Sequence, residues 1–322
     1  MSVAYPSFLL ADIGGTHARF MLAPPDGPLP QPHIFKTGAF PRFETALAEF
    51  LRIQNYSGAL RGIAVCAAGP VESGIVQFTN SPWQIGLDIL RAFNPQTPPQ
   101  LVNDFVAQAE GVLALGEGDV QRIGNTTLRA PDAPIGVLGP GTGLGVAMLV
   151  PGVDGHYRAY AGEGGHVDLP VTEDREYEVL KRLKPGHVHV SAERVLSGPG
   201  LERLYATLRA IDGATSKTLG AHEIDTHARA GDDPYASEAV RLFTGWLGAV
   251  AGNLALTIGA KGGIYLSGGI LPRWGSLFDG DLFRDRFEAK GRFSPYMASI
   301  ATALVLAPDI AFRGLRRLLV DL

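Results

Sequence analysis

The sequence predicts an α/β protein built from two similar half-units. Three observations carry this. Apolar runs of strand length alternate with stretches in helical periodicity. A strand, a glycine-rich turn and a second strand occur twice, around LLADIGGT (9–16) and around VLGPGTGLGV (137–146). Each is followed by further strands and a helix, which is a duplication at the supersecondary level and not a short repeat array. The chain has 322 residues, 46% hydrophobic and 19% charged, the composition of a soluble globular protein with a sizeable core and room for one large domain or two.

Phe8 to Ile13 reads as a buried strand, and Ala18 to Ala23 as its partner after the Gly14-Gly15-Thr16 turn. Residues 24–32 form a Pro-rich loop. Phe43, Ala46, Leu47, Phe50 and Leu51 keep helical spacing, so 42–53 is an amphipathic helix. RGIAVCAAGPV (61–71) is a buried strand that ends at Gly69-Pro70, and QFTNSPW (77–83) is a short strand and turn. QLVNDF (100–105) is a strand with Asn103 and Asp104 at its end, and 106–115 follows as a helix. Residues 116–134 are a polar connection, expected to be the first domain crossing. In the second half, 135–138, 146–150 and 156–160 form a meander. Helices are expected over 173–183, over 199–211 with Pro199 in the first turn, and over 234–260 with Asp233 as N-cap. A strand at 262–266 leads into Ser267-Gly268-Gly269; a strand at 301–306 and a basic helix over 310–319 follow.

A net charge of −4 argues against general affinity for nucleic acid or an anionic membrane. No apolar run is expected to span a bilayer, and the N-terminal residues lack the basic region of a signal peptide. The single cysteine, Cys66, can form no internal disulfide, and no Cys cluster exists for a structural zinc. Its place in an apolar strand marks it as core. The cysteine usage suits a cytoplasmic protein.

Neither glycine turn fits a dinucleotide site, which needs G-x-G-x-x-G/A opening a helix after a strand. Counting from Gly141, the sixth position is Val146, and each turn runs into another apolar strand-like segment. No Gly-Lys-Ser/Thr of a Walker loop is present. Both turns are therefore strand–turn–strand hairpins. Each is either a plain turn or a loop whose amides and Thr hydroxyl face phosphate oxygens.

ADIGGTHAR (11–19) resembles the first phosphate motif of the sugar-kinase, Hsp70 and actin ATPase fold, and GPGTGLG (139–145) resembles the second. LVNDF (101–105), GEGGH (162–166), SAERVLSGPGL (191–201), GNLAL (252–256) and KGRF (290–293) narrow the resemblance to the bacterial ATP-dependent glucokinase family along nearly the whole chain. The related ROK kinases carry a Cys-rich zinc motif after the GEGGH-like segment. It is lacking here, which points to the non-ROK branch. His17 stands where the family has Asn, 116–134 matches poorly, and the C-terminal segment departs from the family's Asn/Gly-rich ending.

The resemblance implies an actin-like ATPase (ribonuclease H-like) fold. It would have a small domain of 1–115 plus about 300–322, a large domain of 116–299 and a central cleft. It implies transfer from ATP to the 6-hydroxyl of D-glucose, giving glucose 6-phosphate and ADP for glycolysis, in a cytoplasmic homodimer. Asp104 is then the general base; taken alone, local pattern favours it as a helix cap. Asn103, Glu163, His166 and Glu193 match the family's glucose ligands, with Asn80, Thr79 and Trp83 as further candidates in the same cleft. Without the resemblance, Glu163 reads as a turn residue, His166 as a core histidine and Glu193 as a helix-start acid. Asp12, a carboxylate at the end of the first strand, would hold Mg²⁺ through water or else merely stabilise its own turn. Gly14, Gly15, Thr16, Gly141, Thr142 and Gly143 would face the ATP phosphates, and Gly268 and Gly269 the adenosine. Arg19 either pairs with Asp12 or is exposed. Two other classes remain open: a kinase of another sugar such as mannose or an amino sugar, and a non-enzymatic sugar and nucleotide sensor.

Overall fold

The computed structural model describes residues 7–78, 82–94, 96–126, 132–184, 186, 188–215 and 217–320. The chain divides into two compact units, Met1–Gly116 with Ala307–Leu322, and Glu117–Leu306.

The first unit begins with strands β1 (Phe8–Ile13), β2 (His17–Ala23) and β3 (His33–Lys36), then helix α1 (Phe43–Ile53) and strand β4 (Gly62–Ala67). A small hairpin of β5 (Ile75–Gln77) and β6 (Gln84–Gly86) precedes α2 (Leu87–Phe93), β7 (Gln100–Asn103) and α3 (Asp104–Val112). The main sheet has the order β3-β2-β1-β4-β7. β2 runs antiparallel to β1 and β3, while β1, β4 and β7 are parallel. Every residue of β1 is buried because both sheet faces are covered. Leu9, Ala11 and Ile13 join Phe43, Leu47 and Phe50 of α1 in one core. Phe8 and Leu10 join a second core with Phe312 and Leu315.

The second unit contains β8 (Val120–Ile123), β9 (Ile135–Pro140), β10 (Leu144–Pro151) and β11 (Tyr157–Gly162). Helices α4 (Asp174–Leu183), α5 (Gly198–Ile211), α6 (Ala221–Ala230) and α7 (Pro234–Ile258) come next. Strand β12 (Gly263–Leu266), helices α8 (Ile270–Trp274), α9 (Gly280–Glu288) and α10 (Ser294–Ala298), and strand β13 (Thr302–Val305) complete it. The sheet order is β11-β10-β9-β12-β13-β8. Its first five strands repeat the first unit's plan: an antiparallel meander, then two strands parallel to β9 and its successor. The duplication expected from the two glycine hairpins is thus present in the sheets.

The chain then returns to the first unit with α11 (Ile310–Val320), which packs on α3. Glycines make this crossing possible. A Cβ on Gly314 would overlap the carbonyl oxygen of Ala107, and one on Gly111 that of Ile310. The crossing fixes α3, whose first residue is Asp104.

Several boundaries differ from expectation. The strand over 61–71 stops at Ala67, because Gly69 turns the chain at φ +134. Helix α3 starts two residues earlier than 106, since Asn103 caps it: its Oδ1 accepts from the Phe105 amide at 2.9 Å. The connection 116–134 contains β8, which pairs antiparallel with β13. Residues 79–81, the middle of QFTNSPW, lie outside the described residues; its flanks belong to β5 and the approach to β6. Asp233 caps α7 through the amides of Tyr235 and Ala236, and Gly259 ends it at φ +63. At 25 residues and a mean hydropathy of 1.3 over its apolar window, α7 is long and apolar enough to cross a membrane, against the expectation that no run is. The window is 78% buried within the fold, the position of a core helix.

Candidate active site

In the first unit, parallel β1, β4 and β7 bring their C-terminal ends together, the place where open α/β sheets present ligands. Their registers align Asp12 with Cys66, Cys66 with Val102, and Ala67 with Asn103. Asp12 therefore lies two strands from the Asn103-Asp104 pair. Asp12 is buried and takes the Arg19 guanidinium from its cross-strand partner position on β2. The same guanidinium lies 5.8 Å from the centre of the Phe312 ring. Of the two readings of Arg19, the ion pair holds.

Asn103 does double service. Its Oδ1 caps α3, and its Nδ2 donates to the Gly69 carbonyl at 3.1 Å, tying the end of β7 to the turn after β4. Asp104 is the first helical residue and not the cap; its Oδ1 also accepts the Phe105 amide, at 3.0 Å. Burial pushes the Asp104 carboxyl up to about 6, and the negative charge of Asp12 adds to this. Hydrogen bonds from the Phe105 amide, its own amide and the Asn103 side chain act the other way without prevailing. A carboxylate that is ionised near neutrality yet still basic is suited to taking a proton from an alcohol. Burial, then Asp12 and Asp104, raise the Cys66 thiol well above its ordinary range, so it is an inert core residue.

The Gly14-Gly15-Thr16 turn closes with the Gly14 amide on the His17 carbonyl at 2.9 Å. Thr37 braces it from beyond β3: its hydroxyl donates to the Gly14 carbonyl at 3.1 Å and its amide to that of Thr16 at 2.9 Å. Gly15 and Thr16 are exposed, and a Cβ on Gly15 would enter open space. Trp83 packs into the core. It is buried against Phe43 and donates its indole N–H to the Phe40 carbonyl at 2.9 Å. Asn80 and Thr79 lie outside the described residues.

In the second unit, Gly141, Thr142 and Gly143 form the turn between β9 and β10, closed by the Gly141 amide on the Gly143 carbonyl at 2.7 Å. The Gly141 carbonyl accepts from the Gly198 amide at 2.8 Å, which docks the start of α5 onto this turn. Glu193 lies in a short 3₁₀ turn, Ala192–Arg194, where its Oε2 accepts the Leu144 amide at 2.8 Å. Its own carbonyl accepts the Ser197 hydroxyl at 2.9 Å, and Ser197 caps α5. Glu193 is thus built into the hairpin and is no mere helix-start charge.

Glu163 precedes and His166 ends a 3₁₀ turn, Gly164–His166, that follows β11. Gly165 has no room for a side chain beside the Leu144 carbonyl, so the loop folds against the same strand that Glu193 grips. The His166 side chain is 60% exposed, with Nε2 3.9 Å from Glu163 Oε2, which rejects its reading as a core histidine. Glu163, His166 and Glu193 are therefore brought to one end of β10. Gly268 follows β12 at φ +89, where a Cβ would come within 2.6 Å of the Pro140 carbonyl oxygen; a Cβ on Gly269 would meet nothing within 4 Å.

Among the described residues, no group of three or more His, Cys, Asp or Glu side chains could hold a metal ion. A single carboxylate such as Asp12 is compatible with Mg²⁺, which commonly takes one or two carboxylates and draws its other oxygens from phosphate and water.

A family model described as Glucokinase matches residues 9–321. The chain belongs to the glucokinase family. It is 42% identical over 313 residues to the glucokinase of Paramagnetospirillum magneticum, covering 97% of each chain. The crystal structure of a glucokinase from an Antarctic psychrotroph superposes with a TM-score of 0.87 at 32% identity, over 99% of this chain and 100% of that one. A ROK-family glucokinase from Streptomyces griseus, solved with glucose and AMPPNP, shares the fold at a TM-score of 0.65 and 20% identity, over 97% and 98% of the two chains. The protein is a kinase of the glucokinase family with the actin-like ATPase fold.

Two functional neighbourhoods escaped the sequence reading. Thr37 braces the first glycine turn only because β3 pairs with β2, a pairing that no local pattern signals. His189 bonds Asp168 and the His166 carbonyl across more than twenty residues. Its nearness in sequence to the SAERVLSGPGL motif was the one available hint.

Proposed function

We propose that the protein transfers the γ-phosphoryl group of ATP to the 6-hydroxyl of D-glucose, giving glucose 6-phosphate and ADP. The observation that carries this reading is Asp104, a carboxylate at the end of a parallel strand, raised to about 6 by burial and by Asp12. Asp104 takes the hydroxyl proton as the sugar oxygen bonds to phosphorus and the bond to ADP breaks. Asn103, Glu163, His166 and Glu193 bind the sugar, because its hydroxyls both donate and accept and demand carboxylates, amides and an imidazole; Asn80 is assigned with them by resemblance. The amides of Gly14, Gly15 and Thr16 and of Gly141, Thr142 and Gly143 bind phosphate, and Gly268 and Gly269 allow close approach of adenosine. Asp12 would hold Mg²⁺, which when bound neutralises phosphate charge. Support for the substrate pair comes from the Streptomyces griseus relative bound to glucose and AMPPNP.

We place the enzyme in the cytoplasm as a homodimer that feeds glycolysis; sedimentation equilibrium checks the dimer. The substrate assignment is tested by ADP release coupled to a dehydrogenase over a panel of glucose, mannose, fructose and glucosamine. Glucose should give the highest kcat/KM. A higher value with another hexose replaces the substrate, and sugar binding with no ADP from any sugar replaces the enzyme by a sensor.

A further inference from the structure

The imidazole of His189 faces two acceptors. Its Nδ1 lies 2.7 Å from Asp168 Oδ1, and its Nε2 lies 2.9 Å from the carbonyl oxygen of His166. A carbonyl oxygen only accepts, so Nε2 carries the hydrogen in that bond, and the Asp168 carboxylate lies beside Nδ1. The ring therefore clasps the backbone of one segment from the other. The two segments are also laced by backbone bonds. The Ala192 amide donates to the Val167 carbonyl at 2.8 Å, and the Leu169 amide to the Val190 carbonyl at 3.0 Å. Asp168 and Ser191 form a bridge between them.

At the ends of this short ladder stand the residues assigned to the sugar. His166 supplies the carbonyl that His189 holds, with Glu163 three residues before it, and Glu193 follows Ala192 directly. The loop that carries Glu163 and His166 is rich in glycine, so ordering it costs more backbone entropy than ordering an average loop. A clasp on its last residue reduces the freedom left to be lost when a ligand arrives. The side chains of His189 and Asp168 are 47% and 91% exposed. Their removal takes little from the core, so their effect on global stability is small.

We propose that His189, braced by Asp168, is a positioning residue of the sugar site. It touches no substrate; it holds the His166 backbone and so sets the Glu163–His166 loop against Glu193. This inference rests on the reading that these residues bind glucose.

Calorimetric titration of glucose into the full-length protein, with steady-state kinetics, tests it on His189→Ala, His189→Gln, Asp168→Ala, His189→Ala/Asp168→Ala and His166→Ala. Loss of the hydrogen bond to the His166 carbonyl predicts that His189→Ala raises the glucose Kd and KM about tenfold. The KM for ATP should stay within about twofold and the thermal midpoint within about two degrees. His189→Gln should recover part of the loss, since its amide can still donate to the His166 carbonyl. Asp168→Ala should shift the glucose Kd in the same direction, and adding it to His189→Ala should change little further. An unchanged glucose Kd in His189→Ala, beside a raised one in His166→Ala, overturns the positioning role alone. An unchanged Kd in His166→Ala removes the sugar-site reading and the inference with it. Equal losses for glucose and ATP with a lowered thermal midpoint would mark His189 as merely structural and also overturn the proposal.

Discussion

The carboxylate of Glu193 accepts the backbone amide of Leu144 at 2.8 Å and fills the space into which any side chain on Gly143 would project. Gly143 and Glu193 are fifty positions apart in the chain, yet the Glu193 carboxylate leaves no room for a Cβ at Gly143. Gly143→Ala must either displace Glu193 or distort the hairpin. We expect the glucose KM to rise at least about tenfold and the thermal midpoint to fall, as overpacking costs about 1–3 kcal/mol. Glu193→Gln retains an acceptor for Leu144, so it should keep the thermal midpoint while weakening glucose. Differential scanning fluorimetry with kinetics separates the two effects.

The raised carboxyl of Asp104 predicts an acid limb in kcat/KM with a midpoint near pH 6, because only the ionised form accepts a proton. Stability should respond in the opposite sense. The folded value, about 6, lies above the ordinary aspartate value of 3.8, so between them the folded state binds more protons than the unfolded chain. Ionising Asp104 therefore costs stability as pH rises through that window, and the cost persists above it. Asp104→Asn should be at least as stable as wild type at pH 7 while nearly inactive. Thermal scans from pH 4 to pH 8 show whether the difference between the two proteins grows over that interval.

Asp12 contributes to that shift through its charge. Asp12→Asn keeps an oxygen for Arg19 but removes the charge, so in the protein without added metal the Asp104 carboxyl should titrate at lower pH. Carboxyl titration by carbon-13 NMR, with no Mg²⁺ or nucleotide present, reads that midpoint free of any cation's own charge. A midpoint that stays in place or moves upward there would sink the electrostatic coupling.

The α3–α11 crossing has no space for a methyl group at Gly314, whose Cβ would overlap the Ala107 carbonyl. Gly314→Ala should destabilise the first unit by about 1–3 kcal/mol or more, since helices must part or shift. Urea unfolding at pH 7 would show it as a lower midpoint. Because α3 carries Asp104, residual folded enzyme should turn over more slowly as well.

Long buried strands and periodic helices were legible because their patterns are local. Phe8–Ile13 and the Phe43, Ala46, Leu47, Phe50 stripe sit as read. Short elements were not: Val120–Ile123 is a strand only because β13 offers it an edge, and Leu87–Phe93 has too few turns to show a period. At the site, the glycine hairpins were legible as hairpins from the apolar runs on both sides. Local pattern left Asp104 as a helix cap, a role that the structure gives to Asn103. The raised carboxyl of Asp104 comes from its burial in the folded chain and from Asp12, ninety-two positions away, and no spacing rule foretells either. Glu193 and His166 were singled out by family resemblance; what anchors them, Leu144 and His189, became visible only once the chain was folded.

The most direct test is the rate of glucose 6-phosphate formation at pH 8 with saturating glucose, ATP and Mg²⁺, for wild type and Asp104→Asn in parallel. Wild type should form one glucose 6-phosphate per ADP. Asp104→Asn should lose about 10²–10⁴-fold in kcat, the usual contribution of a general base, with its glucose Kd changed only a few-fold. A variant that binds glucose normally and turns over at near wild-type rate would contradict the assignment of Asp104 as the base.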